Sequence, residues 1–253
     1  RSWPEGTRRI SQLRLTLEYE PHGLIARNFG SGKLHVDIVD YPGEWLLDLP
    51  LMNLTYRQWS DSTIDASRVE PRATLARGWH AHLATLDAES AAIELNAVKA
   101  AEHFTAYLAK CREDDVALSS LLPGRFLMPG DFAGSPLLTF APLFAKSHDA
   151  FPKGSLGDLM ERRYDSYVFK MVRPFFFSHF ARLDHQIVLV DILQALNAGP
   201  AAVQDLKSAL TQVLACFRLG ANSLFSTVLG RRIDRILFAA TKADLLHQTS
   251  HER

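Results

Sequence analysis

The chain has 253 residues, and its 28 basic and 28 acidic side chains give a formal net charge of zero. That balance provides no basic footprint for nucleic acid and no attraction to an acidic membrane surface. Hydrophobic residues make up 47% and charged residues 22%, which supports a buried core and excludes a disordered chain.

The length suits one large domain, or a core domain carrying an insertion. No apolar run approaches the roughly 20 residues of a membrane-spanning helix, and no secretory signal pattern is read. The two cysteines, Cys111 and Cys216, fall on apolar stripes of predicted helices, as small core residues of a reducing compartment do.

From Leu13 to Tyr19 the sequence alternates, with Leu13, Leu15, Leu17 and Tyr19 on one face and Arg14, Thr16 and Glu18 on the other. This pattern predicts a strand with one wet face, suited to a sheet edge. Residues 28–33, Asn-Phe-Gly-Ser-Gly-Lys, are turn chemistry. Leu34, Val36 and Ile38 then alternate with His35 and Asp37, predicting an antiparallel hairpin whose second strand ends at Asp40.

From Glu44 to about Phe180 the period becomes helical. Ala97, Ala101, Phe104, Leu108 and Cys111 form one stripe, and Met160, Tyr164, Tyr167 and Met171 another. Ser155 followed by Asp158 resembles a capping box, and Pro174 should end or kink the second helix. The Pro- and Gly-rich residues 122–157 should be largely loop.

Residues 186–193 form an apolar run broken by Asp191, expected to be a parallel strand buried on both faces. Gly199-Pro200 precedes a helix striped by Val203, Leu206, Leu210, Val213 and Phe217, stopping near Gly220. Ile233 to Ala240 is a second expected buried strand. Strands separated by a helix imply a parallel α/β sheet. No internal repeat is seen.

Two short segments at strand ends carry the chemistry. Asp40-Tyr41-Pro42-Gly43 has the D-x-x-G form. Asp40 could hold Mg²⁺ through a bound water, which suits an ion that keeps much of its hydration. Gly43 would let a backbone N–H approach a γ-phosphate where a Cβ would obstruct. The competing reading is an ordinary turn. Thr241-Lys242-Ala243-Asp244 has the [NT]-K-x-D form. Asp244 would accept from the N1–H and N2–H₂ of guanine, a donor pair adenine lacks. The stem of Lys242 would lie along the base, and Thr241 would brace the loop. The competing reading is a capped helix start. The joint occurrence and order of the two segments point to GTP or GDP with Mg²⁺.

Gly30-Ser31-Gly32-Lys33 looks like the tail of a phosphate-binding loop, but Arg27 and Leu34 stand where that pattern needs Gly and Ser or Thr. It is read as the hairpin turn. Glu44 is read as a helix cap, with a catalytic role on the attacking water left open. Thr7 lies where a Mg²⁺-binding switch threonine would fall. His247 and His251 are four apart without a visible third ligand, and His80 and His82 should face different ways on a helix. Phe175-Phe176-Phe177 reads as packing beside a kink.

Residues 37–50, Asp-Ile-Val-Asp-Tyr-Pro-Gly-Glu-Trp-Leu-Leu-Asp-Leu-Pro, form a specific string. Together with residues 173–176 (Arg-Pro-Phe-Phe), 179–184 (His-Phe-Ala-Arg-Leu-Asp), 188–191 (Val-Leu-Val-Asp), 194–197 (Gln-Ala-Leu-Asn) and 239–244, it resembles the YcjX-like family of bacterial P-loop proteins. The resemblance covers essentially the whole chain.

It implies an α/β fold: a Ras-like P-loop NTPase core, with a mostly parallel sheet and an antiparallel edge strand, carrying a large helical insertion. Residues 1–43 and 181–253 would belong to the core and 44–180 to the insertion. Asp40 and Gly43 match the third GTPase motif, and Thr241, Lys242 and Asp244 the fourth. The implied protein is a cytoplasmic guanine-nucleotide-binding switch of the bacterial stress or envelope response, hydrolysing GTP slowly and engaging a protein partner through the insertion. Peripheral membrane association is compatible with it. The alternative is a catalytically inactive scaffold stabilised by nucleotide. The family's phosphate-binding loop is expected before Arg1, and the rest of its core after Arg253.

Overall fold

The computed structural model describes residues 9–19, 32–113, 121–146, 149–179, 182–218 and 235–242. Strands β1 (Ser11–Tyr19) and β2 (Gly32–Asp40) form the expected antiparallel hairpin, with Leu13 opposite Ile38 and Leu17 opposite Leu34. One face carries cross-strand polar pairs. Arg14 grips Asp37 through two bonds, Lys33 meets Glu18 at 2.9 Å, and Thr16 meets His35 at 3.0 Å. The other face is the apolar row of Leu13, Leu15, Leu17, Tyr19, Leu34 and Ile38. It is not dry, since Leu13 is 56% and Leu17 51% exposed.

Strands β3 (His185–Val190) and β4 (Arg235–Ala240) pair in parallel, as predicted from the intervening helical pattern. Between them lie α-helices Ile192–Ala198 and Pro200–Arg218, the latter starting at Pro200 as expected. The expectation that both strands are buried on both faces does not hold: Ile187 is 64% exposed and Leu189 69%. Nothing among the described residues covers them. The two strand pairs form separate two-stranded sheets among the described residues, not one mostly parallel sheet.

The helical part begins with a 3-10 segment, Gly43–Asn53, which holds Pro50 and so lacks one N–H a regular helix would use. Helix α1 (Tyr56–Ala66) opens on a full capping box between Thr55 and Gln58. Helices α2 (Arg72–Leu83) and α3 (Glu94–Glu113) follow, and then α4 (Leu156–Tyr167). Both predicted stripes are buried in full. Ser155 caps α4 by accepting from the Asp158 N–H at 3.2 Å, and the Asp158 carboxylate reaches back to Gly154 N at 3.0 Å, one residue earlier than a strict capping box.

Pro174 neither ends nor sharply breaks the chain of turns. The backbone widens into a π-type turn at Val168–Val172, where Arg173 N–H donates to Val168 O, and resumes as α5 (Arg173–Ser178). The wide turn accommodates a ring that would collide with the carbonyl four residues earlier in a regular helix. The two helices after β3 are α6 (Ile192–Ala198) and α7 (Pro200–Arg218).

The core is aromatic. Trp59 is fully buried and packs against Phe104, Phe140 and Tyr164 with centroids 5.3–5.8 Å apart. The stretch read as loop has only three short 3-10 turns between Gly124 and Leu138, yet it contributes Phe126, Phe140, Ala141 and Leu143 to this core. Its backbone is tied down by Tyr56 Oη donating to Ala141 O at 2.8 Å and by Ser60 Oγ bonding both Leu143 O and Leu143 N at 3.0 Å. Helix α7 turns Ala202, Ala209, Val213 and Cys216 inwards, while Val203 of the predicted stripe is exposed. A largely buried ion pair, Arg72 with Asp205 at 2.8 Å, joins α7 to α2.

Candidate functional site: two strand ends and an anchored segment

Asp40 closes β2 at the surface, and Gly43 opens the 3-10 segment three residues later. A Cβ built at Gly43 would meet nothing within 4 Å. The fold therefore does not require glycine there. The space beside Gly43 is open, which fits close approach of a phosphate to backbone. No group of three or more His, Cys, Asp or Glu side chains able to hold a metal occurs among the described residues. Mg²⁺ needs few protein ligands when phosphates and water supply the rest, so Asp40 alone fits the share expected of it.

The segment after Gly43 is held firmly from three sides. The Glu44 carboxylate pairs with Arg112 at the end of α3 at 2.8 Å. It makes no cap for the following turns, contrary to expectation, because the Arg112 guanidinium takes it. The Glu44 carbonyl lies only 1.9 Å from where a Cβ on Gly124 would stand, so the two backbones touch through that glycine. Trp45 Nε1 donates to Met128 O at 2.8 Å. The ring of Trp45 packs edge-on to Phe175 and lies under the Arg125 guanidinium, 4.3 Å from its centroid.

Asp48 is the buried centre of this contact, 1% exposed. Its Oδ1 accepts from Gly124 N at 2.7 Å, and its Oδ2 accepts from Tyr167 Oη at 2.6 Å. Arg125 Nε stands 3.9 Å from Oδ2, and Arg125 Nη1 donates to Met171 O in the π-type turn at 3.1 Å. Burial pushes the Asp48 carboxyl up to about 6, against the opposing pull of Arg125 and of the hydrogen bonds from Tyr167 and the 124–125 backbone. Asp48 and Arg125 were not singled out in the sequence. An Asp inside an apolar string, Trp45 to Leu51, was the available signal.

At the other strand end, Thr241 N donates to Val190 O at 2.9 Å, so the turn after β4 is stitched to the end of β3. Lys242 has φ of 59°, the left-handed region that side-chain-bearing residues seldom adopt. Its Nζ donates to Asp191 Oδ2, while Asp191 Oδ1 accepts from Gln194 N at 3.0 Å and caps α6. The hydrogen bond from Lys242 holds the Asp191 carboxyl below its usual range.

Tyr41 Oη, just past β2, accepts from Gln186 Nε2 at 3.0 Å near the start of β3, whereas Thr241 N donates to Val190 O at its end. Asp244, Thr7, His247 and His251 lie outside the described residues. His80 and His82 do diverge: His80 bonds Ser67 Oγ at 2.7 Å and His82 stacks on His103 with centroids 4.1 Å apart. Phe175 packs edge-on to Tyr41 and Trp45, so the Phe175-Phe176-Phe177 run is packing. Cys111 and Cys216 are buried thiols outside any disulfide. No described helix is long and apolar enough to cross a membrane.

A strand end that bears D-x-x-G, a parallel strand end that bears Thr-Lys, and a helical unit anchored to the first define a class of α/β protein with a helical elaboration. The sequence matches the YcjX-like family, DUF463, over residues 1–253, and the chain belongs to that family. It is 38% identical over 253 residues to a Ras-like GTPase YcjX of Shewanella oneidensis, covering 96% of this chain and 51% of that protein. It is 39% identical over 250 residues to a Ras-like GTPase YcjX of Escherichia coli, covering 96% and 53% respectively. The chain thus spans about half the length of the curated relatives it matches.

Proposed function

We propose that this chain is the nucleotide-sensing and signal-transmitting part of a guanine-nucleotide switch. Asp40 would help hold Mg²⁺, Gly43 would admit the γ-phosphate, and Thr241, Lys242 and Asp244 would read the base. The observation that carries the switch reading is the anchoring of residues 44–48 into the helical unit. A change of contact at Gly43 would be felt one residue later by Arg112 and Gly124, and four residues further on by Arg125 and Tyr167. Packed interfaces of this kind respond in discrete steps. The relatives' name, Ras-like GTPase, supports guanine nucleotide as the ligand.

In this reading residues 1–43 and 181–253 belong to a nucleotide-binding core, and residues 44–180 are its helical insertion. Among the described residues β2 pairs only with β1 and β3 only with β4, and a further strand between β2 and β3 would join the two pairs into one sheet. The insertion would present the nucleotide state to a protein partner in a cytoplasmic stress or envelope response. Slow hydrolysis of GTP would reset it.

The test is binding of GDP and GTP, with ATP and XTP as competitors, by the full-length protein and by Asp244→Asn. Guanine binding by the wild type and a shift towards XTP in the variant are expected, because Asn offers an amide donor to the xanthine C2 carbonyl. Absence of guanine binding by the wild type would sink the reading. The Glu44–Arg112 ion pair favours a second reading, a nucleotide-stabilised scaffold without turnover, since it occupies the carboxylate closest in sequence to the D-x-x-G motif. GTP turnover above that of Asp40→Ala would count against the scaffold.

A further inference from the structure

We propose that Asp191 is a positioning residue for base recognition, holding the Lys242 side chain across the end of the parallel strand pair. This rests on the reading of Thr241, Lys242 and Asp244 as the guanine site.

The juxtaposition is set by strand register. Val190 and Ala240 are in-register partners at the ends of β3 and β4. The next residues along, Asp191 and Thr241, therefore leave the sheet side by side, and Thr241 N is bonded to Val190 O at 2.9 Å. Lys242 then turns through a φ of 59°. A lysine persists in that region when its surroundings over-determine it. Two contacts do so here: the Thr241–Val190 backbone bond and the bond from Lys242 Nζ to Asp191 Oδ2. A one-residue slip of register would separate them.

A lysine stem is flexible and loses rotamer entropy when fixed. Lys242 is 58% exposed along its side chain, so packing does not fix it. The carboxylate of Asp191 does, and it is itself fixed, because its other oxygen caps α6 through Gln194 N at 3.0 Å. Each carboxylate oxygen has one assigned partner. The stem of Lys242 is thus laid over the C-terminal edge of the sheet before any base arrives, where its methylenes can form one wall of a base slot. Preorganisation of this kind strengthens binding by removing the ordering cost at the moment of association.

The experiment uses the full-length protein and fluorescent GDP. Asp191→Asn keeps a good helix cap and removes the charge that holds the ammonium, so the thermal midpoint should stay unchanged. Binding of GDP should weaken about 10-fold, with the loss appearing as faster release. Lys242→Met keeps most of the stem and removes the ammonium. It should weaken binding by a similar factor, and the double variant should bind no more weakly than Lys242→Met alone. That non-additivity marks a residue acting through Lys242. Binding by Asp191→Asn within twofold of wild type, or additive losses in the double variant, would overturn the proposal. If Asp244→Asn still shifts preference to XDP in that case, the base-site reading survives and only the role of Asp191 is lost. If the wild type binds no GDP, both fall together.

Discussion

The helical unit and the strand pairs use similar apolar residues to opposite effect. In the helical unit Trp59, Phe104, Phe140 and Tyr164 close on one another and are buried almost completely. In the strands Leu13, Leu17, Ile187 and Leu189 stand half or more exposed. The helices bury their stripes against each other and against the long segment between α3 and α4. A two-stranded sheet has two faces and two edges, and it is not stable alone unless other layers cover it. The contrast teaches that one part of this chain holds its own core, while the part bearing the two strand-end motifs depends on further cover.

The comparison is broken most severely at Asp48. Replacing it with Ala leaves the buried Arg125 without its carboxylate and should cost about 3–5 kcal/mol of stability; a loss below 1 kcal/mol would show that the Arg125 stacking on Trp45 and Phe175 suffices. Trp59→Ala should cost about 3–5 kcal/mol through the cavity it opens, measured by denaturant unfolding. Loss of the same size from a strand residue would erase the distinction between the two regions.

The next effect is a pH slope. The Asp48 carboxyl rises from 3.8 to about 6 on folding, so between those values the folded chain keeps a proton the unfolded chain has released. Stability from this group therefore falls as pH rises from about 4 to 6, by at most ~3 kcal/mol. Asp48→Asn should abolish that component, and an unchanged slope in the variant would place its origin elsewhere. Ser155→Ala should cost about 1 kcal/mol, as loss of an N-cap does. Smallest of all, Leu189→Thr should change the stability of this chain by less than about 0.5 kcal/mol. A large loss there would mean that Leu189 is covered in solution.

The legibility of the sequence follows the same division. The stripes of α3 and α4 were readable because a helix buries every third or fourth residue of its own segment. The hairpin was readable because its period is two and its polar pairs face each other. The burial of β3 and β4 was overstated, since a continuous apolar run reports a capacity for cover and not its presence. The core role of Ala141 and Leu143 is hidden by the Pro and Gly around them, since the bonds that fix them come from Tyr56 and Ser60, more than 80 residues away. Motif spacing singles out Asp40, Gly43, Thr241 and Lys242, and the structure places Asp40 at the end of β2 and Thr241 just past β4. Asp48, Arg125 and Asp191 act through partners on other elements, and no local pattern announces those partners.

The contact between Glu44 and Gly124 leaves no room for a side chain between the two backbones. The Glu44 carbonyl stands 1.9 Å from the place of a Cβ on Gly124, and it is backbone, so it cannot swing aside as the tip of a flexible side chain would. Gly124→Ala would therefore force the two segments apart and pull on the 2.7 Å bond from Gly124 N to Asp48 Oδ1.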